Sequence, residues 1–403
     1  MRTITVFTIP ATGHVNAMLA VVERLTVRGD RVIAYSGERY KGVLESVGAE
    51  FRAYPFSEGE VDLKDGSNVL RFYERVLNCT LVMLDDLICA ARADAPRLIV
   101  HDSAAHWGSR VAELLGVPAV SFCSFVSVSR IASVSGVAYA RRFWRSSLEG
   151  APCLSSARRA SKELARRYGF EGFSLVDVLL NPHSLRVFSF SRVMQPGGMG
   201  FRSPCFFLGP SSALRPSGGK GCVPPLPEGP RAYVSLGTVF NGDPELLRLM
   251  MEGVADAGYT GAYVSDGAGA LGCEGDVLMA GCRFAVRRSF DQLEALRNVD
   301  VFLTAGGINS LSESIRAGVP CLMFPRQGEQ MLSCRRAEKL GFGIVARPDR
   351  PLALQVEQAR VLRSTWNEGM AAQVGEVRLE RLMSRLDACM GAAVAAQQGR
   401  RIA

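Results

Sequence analysis

Residues 299–334 read VDVFLTAGGINSLSESIRAGVPCLMFPRQGEQMLSC. The apolar run at 299–303 has the length of a buried strand, and the glycines at 306–307 suit a tight turn that lets backbone approach a ligand closely. Residues 311–317 supply the apolar face of a helix, and a second short apolar run follows at 321–325. The stretch therefore predicts one βαβ unit. Its helix N-terminus favours an anion such as a phosphate, although a βαβ unit without a ligand would show the same pattern.

The same alternation of short apolar strands with helices runs along most of the chain. It predicts the α/β class, with doubly wound parallel sheets. Residues 209–230 interrupt it with GPSSALRPSGGKGCVPPLPEGP, whose density of Gly and Pro is typical of a linker. We therefore predict an N-terminal domain at 1–208, the linker at 209–230 and a C-terminal domain at 231–380. The final residues, 381–403, are predicted to form a helix that packs back on the N-terminal domain. Two such halves place a ligand in the cleft between them, at the carboxyl ends of the strands.

Composition limits the classes of partner. The 403 residues are 48% hydrophobic and 21% charged, which is ordinary globular usage. The net charge of +8 is compatible with acidic small ligands, and the basic residues are scattered rather than massed, so we expect no nucleic-acid partner. Eleven cysteines without a CxxC pair predict neither a zinc site nor a disulfide framework. The chain enters a strand without a signal-peptide pattern and has no convincing membrane helix, so we expect a cytoplasmic protein, monomer or homodimer.

Two glycine motifs do not carry the function that they suggest. The GGKG of the linker lacks the spacing of a P-loop. Residues 267–272 match GxGxxG, but no helix pattern follows them, so the dinucleotide fingerprint lacks its context.

Two polar residues follow predicted strands in the first half of the chain. His14 ends the turn at 10–14 that follows the first strand, and Asp102 follows the strand at 98–100. Open α/β sheets place functional groups at these strand ends. A histidine oriented by a carboxylate is a competent general base near neutral pH. The alternative is a turn histidine and a helix-capping aspartate. No GxSxG elbow is present, and His101 and His106 lack a third ligand for a metal.

Several short motifs together resemble a known family. They are GHVN at 13–16, HDS at 101–103, GVPAVSF at 116–122, VSLGT at 234–238, DQLEAL at 291–296, AGGINSLSES at 305–314, GVP at 318–320 and EQ at 329–330. Their order and spacing resemble those of GT-B glycosyltransferases of the UDP-glycosyltransferase superfamily, closest in style to bacterial macrolide and natural-product enzymes. The resemblance implies two Rossmann-like domains, the first binding an acceptor and the second a nucleotide sugar.

The resemblance also implies roles for individual residues. His14 would deprotonate an acceptor hydroxyl with Asp102 as its partner, in an inverting transfer from a UDP- or dTDP-sugar that needs no metal and no cofactor. The expected donor-binding residues are Ser235, Gly237, Thr238, Gln292, Gly306, Gly307, Asn309, Ser310, Glu313, Glu329 and Gln330. Within this set, Glu313 and Gln292 would bind the ribose, and Glu329 and Gln330 would hold the sugar hydroxyls. The acceptor would be a small, fairly apolar natural product bound by residues after Asp102 and by 69–93 and 122–145.

Two positions depart from the family pattern. Ala305 stands where a diphosphate-contacting histidine is usual, and Ser289 where an aromatic residue commonly stacks on the base. Phe290, Arg287 or Arg288 would then substitute. The alternatives are an unusual donor, a catalytically impaired homologue that acts as an auxiliary partner protein, or an epimerase or hydrolase of nucleotide sugars.

Overall fold

The structure is a computed structural model that describes residues 1–55, 68–126, 149–181, 183–196, 204–215, 223–238, 242–366 and 368–402. It divides into two compact units. Unit 1 comprises Met1–Ser189, Met199–Ser211 and Val377–Ala403, and unit 2 comprises Phe190–Gly198 and Ser212–Glu376.

Unit 1 is built on a parallel sheet. Its strands are β1 (Thr3–Phe7), β2 (Arg31–Ser36), β3 (Glu50–Ala53), β4 (Leu98–Asp102), β5 (Ala119–Cys123), β6 (Leu185–Phe188) and β7 (Cys205–Phe207). They lie in the order β3-β2-β1-β4-β5-β6-β7, and every pair is parallel. The chain reverses its winding direction between β1 and β4, which brings the carboxyl ends of these two strands together at the switch point where such sheets bind ligands.

Helices cover both faces of this sheet. They are α1 (Thr12–Val27), α2 (Lys41–Glu45), α3 (Val69–Asp94), α4 (His106–Leu115), α5 (Cys153–Tyr168), α6 (Leu175–Leu180) and, from the end of the chain, α13 (Leu379–Ile402). One buried cluster joins the sheet to α1, α2 and α13, and the other joins it to α3, α4 and α5. Helix α13 contributes Leu382, Met383, Leu386 and Met390, a three-and-four-residue spacing that forms one apolar stripe. The C-terminal helix is thus an integral part of unit 1.

Unit 2 repeats the arrangement with one difference. Its strands are β8 (Arg231–Ser235), β9 (Gly261–Ser265), β10 (Gly275–Met279), β11 (Cys282–Arg287), β12 (Val301–Thr304), β13 (Cys321–Met323) and β14 (Gly343–Val345). They lie in the order β10-β11-β9-β8-β12-β13-β14, and β10 alone among these strands runs antiparallel to its neighbour. The helices are α7 (Pro244–Asp256), α8 (Gln292–Arg297), α9 (Ile308–Ala317), α10 (Gly328–Lys339), α11 (Leu352–Val361) and α12 (Glu368–Gly375). The predicted fold class, two doubly wound α/β units, is confirmed.

The unit boundaries differ from the expected domain boundaries. The first unit ends at Ser211 instead of residue 208, and it resumes at Val377 instead of 381. Phe190–Gly198, which we assigned to the first domain, belongs to unit 2, where the Ser191 hydroxyl donates to the carbonyl oxygen of Gln373 at 3.0 Å. Hydrophobic pattern could not reveal this exchange, because it depends on contacts between residues far apart in sequence.

Three local features were not predicted. Helix α1 begins at Thr12, so the expected turn at 10–14 is in part the first turn of that helix. The short strand β7 and the antiparallel strand β10 were missed, because β7 has three residues and β10 mixes half-buried with exposed positions.

Among the helices described, none is long and apolar enough to cross a membrane.

Candidate active site

His14 and Asp102 meet at the switch point of the unit 1 sheet. His14 lies in the first turn of α1, just after β1, and Asp102 is the last residue of β4. Strands β1 and β4 are paired, with Phe7 opposite His101, so the residues after them are neighbours. His14 Nδ1 lies 2.7 Å from Asp102 Oδ2. The Asp102 side chain is fully buried, whereas the His14 side chain is 21% exposed. The structure therefore brings the two residues together as predicted, and their catalytic roles stay predictions.

Asp102 serves its own loop as well as the histidine. Its Oδ1 accepts a hydrogen bond from the backbone N–H of Ala104 at 2.7 Å. One carboxylate oxygen thus holds the turn before α4 while the other meets His14. The bond to Ala104 is not a helix cap, because Ala105 is the N-cap of α4 and no side chain caps that helix, so the capping alternative for Asp102 is wrong. This double attachment fixes the carboxylate beneath the imidazole.

Ser124 is a third member of the group, which we did not predict. Its Oγ lies 2.8 Å from His14 Nδ1. The residue follows β5, the next strand after β4, so the rule that identified His14 and Asp102 also applies to it. With Nδ1 engaged by Asp102 and Ser124, a proton taken from a substrate would go to Nε2. The ring of Phe125 stands 6.4 Å from the imidazole, centroid to centroid.

The other three histidines lie outside this group and are largely buried. His101 donates from Nδ1 to the carbonyl oxygen of Asp102 at 2.9 Å, and its ring contacts that of His183 edge to face at 4.8 Å. Burial lowers the pKa of His101 well below its ordinary value, and burial with a nearby Arg110 lowers the pKa of His183 to about 4. Burial likewise lowers the pKa of His106. Of the three, His101 supports the backbone at Asp102, and all three are poor candidates for a base at neutral pH.

In unit 2, two turns stand side by side at the carboxyl ends of β8 and β12. The strands are paired, with Ser235 opposite Thr304. Each turn is closed by the hydroxyl of the last strand residue: Ser235 Oγ accepts from Gly237 N, and Thr304 Oγ1 from Gly306 N, both at 3.3 Å. Both glycines have positive φ, +83° and +78°. Thr238 follows the first turn and is exposed.

The glycine turn of residues 299–334 is held from below by α10. Ser333 Oγ donates to the Gly306 carbonyl oxygen at 2.8 Å, and the Cys334 thiol lies beneath the same glycine. Ala305 is 2% exposed and packs in the core of unit 2. The residue that replaces the expected histidine therefore points into the interior. Ser333 and Cys334, which support Gly306, were not predicted from the sequence.

Helix α9 begins directly after this turn. Gly307 is its N-cap and supplies no side-chain hydrogen bond, so the first-turn amides are not capped by a side chain. Asn309 and Ser310 lie in that first turn, partly exposed. An anion at this end would meet N–H donors and the positive end of the helix dipole.

Glu313 lies one turn further along α9 and has partners on both oxygens. Gln292 Nε2 donates to its Oε2 at 2.8 Å and lies 3.4 Å from Ser310 Oγ. Arg215 Nη1 donates to its Oε1 at 2.7 Å. The predicted pair of Glu313 and Gln292 is thus assembled, and Arg215 is a partner that sequence reasoning did not include.

Glu329 and Gln330 occupy the first turn of α10, at the carboxyl end of β13. Gln330 is buried, and its Oε1 accepts from the backbone N–H of Arg326 at 2.9 Å. With Oε1 bonded to Arg326, the amide NH₂ of Gln330 is its donor group. Glu329 is partly exposed. Both residues lie on the helix that carries Ser333, so they share a rigid support with the glycine turn.

The expected base-stacking substitutes have different surroundings. The half-buried ring of Phe290 packs against Tyr263 and Tyr233, with centroid distances of 5.2 and 6.5 Å. Ser289 and Arg288 are exposed. Arg288 lies against Gly269 and lines a cavity of about 190 Å³ with Asp266, Gly272, Cys273, Glu274 and Arg287. The GxGxxG loop forms one wall of this cavity, and strand β10 follows it, as expected for a motif without its helix.

No cluster of potential metal ligands occurs in the described part of the chain. The ten cysteines that the structure describes are all free. Residues 127–145 of the expected acceptor pocket lie outside the described residues.

Several known proteins are similar to the chain in sequence or in fold. The chain is 28% identical to an NDP-glycosyltransferase, YjiC, of Bacillus subtilis over 346 residues, which are 85% of this chain and 83% of the relative. It is 26% identical to the demethyllactenocin mycarosyltransferase of Streptomyces fradiae, over 85% of this chain and 75% of the relative. Among solved structures, the calicheamicin glycosyltransferase CalG4 superposes with a TM-score of 0.71 at 21% identity, covering 97% of this chain and 99% of that one. The chain is thus similar to glycosyltransferases in sequence and to GT-B glycosyltransferases in fold.

These likenesses confirm the resemblance stated from the sequence motifs. No protein-family model matches the chain. The likeness to CalG4 concerns the fold, with its two sheets and the turns at their carboxyl ends. The residues on those turns determine their chemistry.

Proposed function

We propose that the protein is an inverting, metal-independent glycosyltransferase that moves a sugar from a UDP- or dTDP-sugar to a hydroxyl of a small natural product. The observation that carries the proposal is the contact of His14 Nδ1 with the buried Asp102 carboxylate at 2.7 Å. A carboxylate held in this way keeps the proton on Nδ1 and stabilises the imidazolium that forms when Nε2 takes a proton.

The reaction is a single displacement. His14 Nε2 would take the acceptor's hydroxyl proton while the oxygen attacks the anomeric carbon of the sugar. The bond from that carbon to the diphosphate oxygen breaks, and its electron pair stays on the nucleoside diphosphate. Attack from the face opposite the leaving group inverts the anomeric configuration.

Unit 2 would supply the donor-binding groups. The turn at Gly306 and Gly307, with Asn309 and Ser310, offers N–H and hydroxyl donors for the diphosphate, and Ser235, Gly237 and Thr238 form the neighbouring turn. Glu313 and Gln292 would bind the ribose. Glu329 and Gln330 would bind the sugar hydroxyls. A relative named NDP-glycosyltransferase supports a nucleoside-diphosphate sugar as donor, since that class of donor is in its name.

The acceptor class follows from other relatives. The demethyllactenocin mycarosyltransferase and the oleandomycin glycosyltransferase of Streptomyces antibioticus are named for antibiotic substrates. We therefore propose a natural-product acceptor for this chain, in secondary metabolism or antibiotic modification.

The test is a transfer assay with UDP-glucose and dTDP-glucose against a panel of hydroxylated natural products, read by mass spectrometry. His14→Ala and Asp102→Asn should each reduce turnover roughly 100-fold or more, the range for loss of a general base. Asp387→Asn, a surface carboxylate of unit 1, is the control and should leave turnover unchanged.

Four results would count against the proposal. Full activity of His14→Ala removes the base from the mechanism. A product with the donor's anomeric configuration, seen in the proton coupling at the anomeric carbon, excludes single displacement. Loss of activity on adding EDTA contradicts metal independence. If neither UDP nor dTDP binds in calorimetry, the donor assignment is wrong.

A further inference from the structure

Arg215 comes from the segment that sequence analysis treats as a linker, yet it is anchored inside unit 2. Its side chain is 13% exposed. A single nitrogen, Nη1, donates to Glu313 Oε1 at 2.7 Å and to the carbonyl oxygen of Ser212 at 2.6 Å. The short helical turn Ser211–Leu214 brings the residue to this position.

The ion pair between Arg215 and Glu313 first neutralises a buried charge. The Glu313 side chain is 4% exposed, and an unpaired carboxylate at such a site is strongly unfavourable. Arg215 and Gln292 together occupy one hydrogen-bonding position on each oxygen. A purely structural role would end with this contact.

The geometry of the guanidinium suggests more than a structural role. Arginine carries five N–H donors in a fixed planar fork, and the two bonds of Arg215 both use Nη1. Its Nε and Nη2 donate to no residue within the described ranges. Because Glu313 and Ser212 hold one side of the fork rigidly, the remaining donors have a defined direction with little conformational entropy left to lose.

The anchored guanidinium lies near the end of α9 that suits an anion. Ser310 and Glu313 are three residues apart on the same face of the helix, and Gln292 Nε2 reaches both, at 3.4 and 2.8 Å. Glu313 and Gln292 therefore connect Arg215 to the Ser310 hydroxyl through a chain of hydrogen bonds. The position next to the glycine turn where a donor would be useful is filled by Ala305, which is buried and has no side-chain donor.

We infer that Arg215 is a diphosphate-binding residue, which supplies the cation that Ala305 cannot. This inference rests on the proposed donor function. As the bond between the anomeric carbon and the diphosphate oxygen breaks, its electron pair remains on that oxygen, and a fixed guanidinium stabilises the added negative charge. Glu313 positions Arg215, and Arg215 contacts the phosphate.

Calorimetry with UDP and with uridine separates this role from a structural one. In Arg215→Met, UDP affinity should fall about 10- to 100-fold, the effect of one charge-assisted hydrogen bond, while uridine affinity stays unchanged. Arg215→Lys should recover part of the UDP affinity, because it keeps the charge without the fork. Arg360→Met removes an exposed arginine of unit 2 and should leave the affinities for both UDP and uridine unchanged.

A second variant serves as the control for effects of the substitution on folding. Since Arg215→Met leaves the Glu313 carboxylate unpaired, Arg215→Met with Glu313→Gln removes the stranded charge, and each variant's melting curve is recorded first. Compared with Glu313→Gln alone, the double variant should still lose UDP affinity selectively.

Each outcome decides between the roles. Equal losses for UDP and uridine would show that Arg215 acts only through Glu313, and unchanged UDP affinity would remove it from the site; both overturn the inference. Wild-type protein that binds uridine and UDP equally would overturn the diphosphate contact while leaving nucleoside recognition intact. Wild-type protein that binds neither UDP nor dTDP would overturn the donor proposal itself.

Discussion

Gly306 and Gly307 are adjacent in sequence but differ in what a side chain would meet. A β-carbon on Gly306 would lie 2.0 Å from the Cys334 sulfur, and the residue has a φ of +78°. A β-carbon on Gly307 would meet no atom within 4 Å, and its φ is −60°. Gly306→Ala should therefore destabilise unit 2, while Gly307→Ala should change its stability little.

Two effects lower the free energy of unfolding in Gly306→Ala, and they add. A non-glycine residue in the left-handed region costs roughly 1–2 kcal/mol. Forcing a methyl group against a well-packed side chain costs about 1–3 kcal/mol more. Cys334 is fully buried at the base of the turn, so its sulfur has little room to move. The sum, about 2–5 kcal/mol, is a large fraction of the stability of an ordinary domain.

The assay is urea denaturation followed by hydrogen exchange in peptides from residues 299–334, so that unfolding of unit 2 is read separately. Cys334→Ala in the Gly306→Ala background should recover the steric part and leave the cost of the left-handed φ. If Gly307→Ala proved as costly as Gly306→Ala, or if removing the sulfur recovered nothing, the explanation by overlap with Cys334 would be refuted.

Three further predictions concern unit 1. Tyr54→Phe should cost about 1–3 kcal/mol in urea denaturation, because the buried hydroxyl accepts from Trp107 Nε1 at 3.0 Å and donates to a backbone carbonyl at 2.7 Å. His101 and His183 are held neutral with lowered pKa values, so the unfolded chain binds protons more readily below pH 6.5. For His183, whose folded pKa is about 4, stability should be constant above pH 6.5 and fall by roughly 2 kcal/mol towards pH 5, and the lowered pKa of His101 acts in the same direction. Denaturation of His183→Gln should show a smaller fall. Ser124→Ala should lower kcat about 2- to 10-fold, clearly less than His14→Ala, since Ser124 touches the base without being one.

The contact between His14 and Asp102 could be predicted from the sequence because the prediction depends on few structural details. Residues that follow neighbouring parallel strands converge whatever the details of the turn. The prediction survived an error in the start of α1, where Gly13 suggested a turn and the helix had already begun at Thr12. Ser124 follows the next strand, β5, so the same rule applies to it, although it lies just outside the motif at 116–122.

The supports of the glycine turn could not be predicted in this way. Ser333 and Cys334 reach Gly306 across 27 and 28 residues, and nothing in a helical pattern specifies which side chain will lie beneath a distant turn. Phe290 illustrates the opposite problem. It neighbours Ser289 in the sequence, but only the structure shows that its half-buried ring contacts Tyr233 and Tyr263, and its stacking on a base stays a prediction.

Glu313 combines a role that a sequence motif predicts with a supporting contact that no motif predicts. The motif that contains it predicts a ribose-binding carboxylate, but a carboxylate that is 4% exposed requires a counter-charge, and no motif residue supplies one. Arg215 does so from a Gly/Pro-rich segment 98 residues earlier in the chain. The carboxylate has two oxygens with about four lone-pair positions, so the bonds from Arg215 and Gln292 leave positions for two hydroxyls. A buried carboxylate can therefore be fully paired within the protein and still bind a ribose, provided that the segment before β8 is folded against α9.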